Sequence, residues 1–467
     1  MDAKPVAGAS PPSRLLALAL TLGSAVIVVT CGTGSEQAPP PAVPAPAVST
    51  SASASTASAP ADSAPASSAA SADPSTAPGA PPPSTLAAAE SASAPPLDAL
   101  PPRGEGHELD RFYAALRGLE KKTRAEHVRV AWLGDSHGAA DFWSGTVRTA
   151  LQQRFGSGGV GFVNVGSKSY RHDAVTMDVK GKWKITPKGP STTLPTADGV
   201  FGLSGMLFTG VDDNPRATLT ITESPSLPGL SWDLCYRLKT ASDEILVKLP
   251  GMKDRTLRAT ADEPPGAIRH VRLTGSGDPA LTVVPQAGFP ELCGVVAEAD
   301  PKAQPGVVLD TLGINGARLA TPLAWNEASW VGELSRRAPA LVILEYGTNE
   351  SGDHTIKAER YLDHLHRVMA RVHKASPACD CLVLAPTDRS NTTERTPKVR
   401  DALKAAAKAE GCGFWDTYEV MGGKGSILQW HADKPSRAAG DGVHLNARGY
   451  HELGEKLGKA ILDGYTP

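Results

Sequence analysis

The sequence predicts an α/β fold, a doubly wound parallel sheet interrupted by an inserted antiparallel β-sandwich. Three observations carry that expectation. Apolar strand-like runs alternate with segments of helical period from Gly106 to Ser167 and again from Val307 to Gly464, as parallel strands joined by crossover helices do. Between them, from about Ser167 to Gln304, short runs alternate with Gly, Pro and Asp and show no helical period, the texture of a sandwich or jelly roll. That stretch is too long for a loop. The α/β part is therefore expected at 105–167 and 306–467, with the insert at 168–305.

The chain has 467 residues, and Lys+Arg 47 against Asp+Glu 49 leave a formal net charge of −2. Such a balance gives no reason to expect nucleic acid as a partner. Residues 1–31 read as an export signal: Lys4 and Arg14 precede the apolar run Leu15 to Val29, which ends at Thr30-Cys31-Gly32. The run is short for a spanning helix, which needs ~20 residues, and suits a signal segment. Cys31 sits where a bacterial lipoprotein would be cleaved and lipidated, so the segment resembles a lipoprotein signal. Plain cleavage and an uncleaved anchor remain open. A lipid anchor would put the protein in the cell envelope as a periplasm-facing or surface lipoprotein, and Gly32 after Cys31, with no acidic residue there, favours the outer membrane. Residues 32–104 are nearly all Ala, Pro and Ser without an aromatic side chain; they cannot bury enough apolar surface to offset ordering and read as a disordered tether.

Within the folded part, Leu109, Phe112, Leu116 and Leu119 recur at helical spacing. Val128 to Leu133 is a strand apolar enough to be buried on both faces, and a helix is expected from near Ala139, marked by Phe142, Val147 and Leu151. The insert offers strands at 217–221, 245–249, 270–273 and 280–284. Further strands are expected at 307–310, 341–345, 382–385 and 413–415, and helices at 328–337, 356–374, 399–410 and 447–462. Of six cysteines, Cys235 and Cys293 are the favoured disulfide in an exported protein, and Cys412 pairs with either Cys379 or Cys381.

A doubly wound sheet has its crevice at the carboxyl ends of the strands, where Ser136, Gly316, Asn349 and the Asp441–His444 loop all fall. Ser136 ends the first strand and faces the positive end of the following helix, a favourable address for a nucleophile. His444 is the candidate base, and Asp441, three residues earlier, is placed to orient its ring. The backbone N–H groups of Ser136 and Gly316 and the side-chain amide of Asn349 are the candidate oxyanion hole. Gly316 is preferred to Gly313 there. Asp135 reads as a turn-stabilising carboxylate and His137 as a polar wall residue, while Glu350 either contacts substrate or caps the next helix. Trp232 and Tyr236 read as core packing before a sugar-stacking platform.

These residues resemble the SGNH (GDSL-type) hydrolases. The likeness rests on Gly134-Asp135-Ser136, Gly313-Ile314-Asn315-Gly316-Ala317, Gly347-Thr348-Asn349-Glu350 and Asp441-Gly442-Val443-His444-Leu445, in the family's order. It implies a flavodoxin-like sheet and a serine esterase that needs no cofactor or metal. The GDSH form of the first block, the GTNE form of the third and the position of the insert are similar to the peptidoglycan O-acetylesterases, whose insert is a carbohydrate-binding β-sandwich. That narrower likeness implies removal of the acetyl ester from the 6-hydroxyl of muramoyl residues. The long tether departs from it. Three rivals remain: acyl transfer, or hydrolysis of another acetylated polysaccharide; a non-catalytic sugar-binding lipoprotein; and a metallophosphoesterase, suggested by Gly134-Asp135-Ser136-His137-Gly138 but lacking the histidine that a GNH stretch would supply at the third block.

Overall fold

The structure, a computed structural model, describes residues 106–168, 170–187, 198–212, 214–222 and 227–467. The signal segment, the tether and Cys31 lie outside the described residues. The host fold opens with α1 (Asp110–Glu120), β1 (Val128–Gly134) and α2 (Phe142–Phe155). Eleven short strands follow: β2 (Gly159–Val163), β3 (Val175–Lys180), β4 (Trp183–Thr186), β5 (Leu207–Gly210), β6 (Arg216–Ile221), β7 (Ser231–Arg237), β8 (Glu244–Lys248), β9 (Arg255–Arg258), β10 (Arg269–Thr274), β11 (Ala280–Ala287) and β12 (Glu291–Glu298). The host resumes with β13 (Val307–Gly313), α3 (Glu327–Arg337), β14 (Leu341–Glu345), α4 (Ala358–Ala375), β15 (Asp380–Leu384), α5 (Thr396–Glu410), β16 (Gly413–Trp415), α6 (Thr417–Met421), α7 (Ser426–Ala432) and α8 (Ala447–Asp463).

The host strands form one parallel sheet in the order β13-β1-β14-β15-β16. Counted along the host alone this is 2-1-3-4-5, the flavodoxin-like order. Side chains alternate between two cores, as strand geometry requires. Val128, Val130 and Trp132 join the core that holds Phe112, Leu151 and Leu453, whereas Ala131 and Leu133 join that of Leu334, Leu365 and Leu403. Each face is therefore covered by helices.

The interrupting strands make two antiparallel sheets, one of β10-β7-β12-β5-β4 with β2 also on β12, the other β3-β6-β11-β8-β9. Side chains of both sheets share one apolar cluster. Trp232 and Tyr236 are buried within it, so they pack a core and offer no exposed platform. The antiparallel part begins earlier than the expected residue 168, because β2 already pairs with β12, Val163 opposite Val295. All five β2 residues are buried, and such a run carries no alternation to say which sheet it joins.

Two further expectations are corrected. The second helix begins at Phe142, not near Ala139. Its N-cap, Asp141, makes no cap bond, because its carboxylate is committed to Arg148 at 2.7 Å, Thr311 at 2.7 Å and Ser144 at 3.0 Å. A bend separates Ser136 from the helix, and the field of a helix terminus fades beyond its first turn. The loop, more than the helix end, places the serine. Among the cysteines, Cys235 is joined to Cys293 and Cys381 to Cys412, while the buried Cys379 lies outside both bonds, its Sγ 3.2 Å from the Asp380 carbonyl.

Charged groups seal the joint between insert and host. Arg337 of α3 bonds Glu298 of β12 at 2.6 Å and Asp310 of β13 at 2.8 Å, and Arg129 adds a second cation on Glu298 at 2.8 Å. Burial works against the charge on Glu298, but the two guanidinium groups outweigh it and hold the carboxyl well below the usual range. His270 of β10 stands between Glu333 of α3 at 3.0 Å and Asp233 of β7 at 3.4 Å. Burial lowers its affinity for a proton, the two carboxylates outweigh burial, and the ring is pushed up to about 9.

Candidate active site

The strand ends at one edge of the parallel sheet bring four distant segments together. Ser136 follows β1, Gly316 follows β13, Asn349 follows β14, and Asp441 and His444 lie in the loop before α8. The Ser136 Oγ is 2.8 Å from His444 Nε2. The other ring nitrogen, Nδ1, is 2.7 Å from Asp441 Oδ2. Asp441 Oδ1 also accepts the backbone N–H groups of Val443 and His444, each at 2.9 Å. Burial raises the Asp441 carboxyl, but the His444 ring and those two N–H donors outweigh it and hold the group at about 2. A hydroxyl, an imidazole and an ionised carboxylate thus stand in line.

Asn349 reaches from the third block to the second. Its Nδ2 donates to the Ala317 carbonyl at 3.0 Å and only distantly, at 3.4 Å, to Asp135 Oδ2. One amide hydrogen is firmly held by the residue after Gly316; the other is loosely held beside Ser136. Gly316 has φ +76°, a left-handed conformation that a glycine adopts without penalty. Gly313 has a different duty. A Cβ there would collide with the Gly138 carbonyl, so the absence of a side chain lets the β13 end close onto the loop behind Ser136. Glu350 is buried; its Oε1 accepts the Leu319 N–H at 2.8 Å and its Oε2 the Gly347 N–H at 3.2 Å. It ties the second block to the third.

Asp135 accepts the His137 N–H at 2.9 Å, closing the turn that exposes Ser136. His137 is more than a wall. It is fully buried, its Nε2 is 3.1 Å from Thr387 Oγ1 and its Nδ1 3.1 Å from the Tyr450 hydroxyl. Its ring lies against that of His444, with centroids 5.3 Å apart. Burial and then the His444 charge push it down to about 3, so it stays neutral beside the imidazolium that base catalysis would create. With both nitrogens engaged, it is not presented as a metal ligand.

Glu345, the last residue of β14, is the group that sequence reasoning passed over. It is buried beneath the Ser136 loop and accepts the Asp135 N–H at 3.2 Å. Burial, and then the neighbouring Asp135 carboxylate, raise it well above the ordinary value. A signal existed: a glutamate closing an apolar parallel strand at its carboxyl end is unusual enough to mark a site. Among the described residues, the one set of potential metal ligands close together is Cys235, His270 and Glu333, and the Cys235 sulfur is in a disulfide.

Residues 274–452 match the family model described as the GDSL-like lipase/acylhydrolase family. The match takes in Gly316, Asn349, Asp441 and His444, and starts beyond Ser136. No curated protein matches the chain. Among solved structures, a peptidoglycan O-acetylesterase is similar in fold, with a TM-score of 0.63 at 23% identity over 76% of this chain and 95% of that chain. A family two carbohydrate esterase from Clostridium thermocellum in complex with cellohexaose covers 62% of this chain and 98% of its own at 9% identity. An acetyl xylan esterase covers 34% and 83% at 16% identity. Both score 0.26 and carry no weight for the fold.

Proposed function

We propose that the chain is a GDSL-like acylhydrolase, an esterase of the SGNH type, and that it removes O-acetyl groups from a cell-envelope polysaccharide, with peptidoglycan favoured. The observation that carries this reading is the line from Ser136 through His444 to Asp441, at 2.8 and 2.7 Å. Ser136 Oγ attacks the acetyl carbonyl while His444 Nε2 takes its proton, and ionised Asp441 stabilises the imidazolium. The oxyanion is received by the N–H groups of Ser136 and Gly316 and by the loosely held amide hydrogen of Asn349. Collapse expels the sugar oxygen, which takes the proton from His444. Water, deprotonated by the same ring, then releases acetate.

In the same reading the two antiparallel sheets are an inserted β-sandwich that holds the polymer, supported by their common apolar cluster. Cys31 is the lipid attachment point and 32–104 the tether, supported by the sequence alone; a lipid label lost in Cys31→Ala tests it.

Acetate release by the full chain from acetylated peptidoglycan, acetylated xylan and acetylated chitosan oligomers tests the substrate. Peptidoglycan should be preferred, and Ser136→Ala or His444→Ala should lose about 10³-fold or more of kcat without a change in thermal unfolding. Equal rates on xylan would leave an esterase and remove the peptidoglycan assignment.

A further inference from the structure

Arg389 belongs to the segment between β15 and α5, two strands away from β1. The next residue, Ser390, donates its N–H to the Gly442 carbonyl at 2.9 Å, inside the loop that bears Asp441 and His444. The Arg389 side chain runs the other way: its Nη1 donates to the Thr348 carbonyl at 3.1 Å, one residue before Asn349. The Arg389–Ser390 pair therefore bridges the two blocks, the guanidinium on the third and the Ser390 N–H on the fourth. Two strand spacings separate the strand of Arg389 from that of Ser136, about 10 Å, and the Arg389 side chain leans that way as far as Thr348, past the end of β14.

Its partners are few. Among the described residues, that carbonyl is its one hydrogen-bond partner, its Nε is buried without a partner, and no carboxylate forms an ion pair with it. Other arginines in the protein are matched: Arg129 and Arg337 with Glu298, Arg148 with Asp141, Arg318 with Asp353. A half-buried cation without a counterion is costly unless something supplies the charge. The buried acids close by, Asp135, Glu345 and Glu350, do not bond it; they are held by backbone N–H groups. Had neutralising them been its whole task, a direct bond would be expected. With Nη1 on the Thr348 carbonyl and Nε buried, Nη2 is the donor left for a charge-assisted bond to an anion.

We infer that Arg389 is a subsite for a carboxylate carried by the same sugar unit whose acetyl ester lies at Ser136. The assignment rests on the esterase reading and deepens it, since it makes the preferred polymer an acidic one. A neutral polysaccharide such as unsubstituted xylan leaves the guanidinium unmatched. A lactyl carboxylate one pyranose ring away from a 6-O-acetyl group satisfies it on glycan whose stem peptide has been removed, since the peptide holds that carboxyl as an amide.

The test compares two substrates on the full chain: 6-O-acetyl-N-acetylmuramic acid with its carboxylate free, and the same compound as the primary amide. The reading is the ratio of the two kcat/KM values. The wild type should favour the free carboxylate by about tenfold, the worth of one charge-assisted hydrogen bond, mostly through KM. Arg389→Gln should bring the ratio close to one, and Arg389→Lys, which keeps the charge but loses the fork, should keep part of it. A wild-type ratio near one overturns the subsite. So does a ratio in Arg389→Gln equal to that of the wild type, including an equal loss on both substrates, which would make the residue a counterweight to the buried acids. Release of acetate from neither compound nor any acetylated polymer would instead overturn the esterase reading itself, and the subsite with it.

Discussion

Two groups of buried carboxylates in this protein are handled in opposite ways. At the joint between insert and host, Glu298 and Asp310 face the guanidinium groups of Arg129 and Arg337 at 2.6–2.8 Å. Under the Ser136 loop, Asp135, Glu345 and Glu350 are as deeply buried, yet backbone N–H groups are their donors. Burial raises all three above their ordinary values, and the charge of Glu350 adds to it at Asp135 and that of Asp135 at Glu345. The joint is neutralised. The site buries acids without a paired cation, which favours their protonated forms and is a local cost borne where the nucleophile must be positioned. Scaffold and site have thus been given different electrostatics by the same residue types.

The comparison is broken most severely at the joint. Arg337→Met leaves Glu298 and Asp310 short of a counterion, and urea unfolding should show a loss of about 3–5 kcal/mol. A change below about 1 kcal/mol would mean that Arg129 and water suffice, and the contrast with the site would fade.

His270 gives the next effect. Its proton is bound more tightly in the folded state than in the unfolded chain, so its contribution is complete below about pH 6.5 and is lost as pH rises through about 9. Wild type should exceed His270→Gln in stability by on the order of 3 kcal/mol near pH 6, with the gap closing by pH 10. Thermal melts at both pH values check it.

The smallest effect sharpens the site half. An acid with a raised folded value holds a proton that the unfolded chain releases near pH ~4.3, so the folded state is progressively disfavoured as pH rises. Glu345→Gln removes that proton while keeping the shape and a donor toward Asp135. As pH rises above about 4.3 the wild type should lose stability relative to the variant. Parallel melting curves would show that the buried pair ionises normally.

Much of the host was legible along the chain. The continuous apolar runs at β1, β14 and β15 mark parallel strands because both faces are buried, and the residues at their carboxyl ends name the site. Short elements were not legible. The five-residue helix α6 and seven-residue helix α7 are too brief to show a period, and β2 belongs to the insert for reasons of pairing that no local pattern records. His137 was read only as a wall residue and Glu345 was passed over, because their roles depend on burial beside residues far away in sequence, Tyr450 and Thr387 for one and the Ser136 loop for the other.

By itself the sequence determined which side chains carry chemistry and in what order, since hydroxyl, imidazole and carboxylate are properties of residue types. It also determined the alternating pattern that calls for a parallel sheet. Only the tertiary structure decided which cysteine of two bonds Cys412, where the insert begins, and which buried acids go without a cation. Those outcomes depend on distances between segments that the chain brings together only by folding, and a charge has no fixed energy until its neighbours are in place.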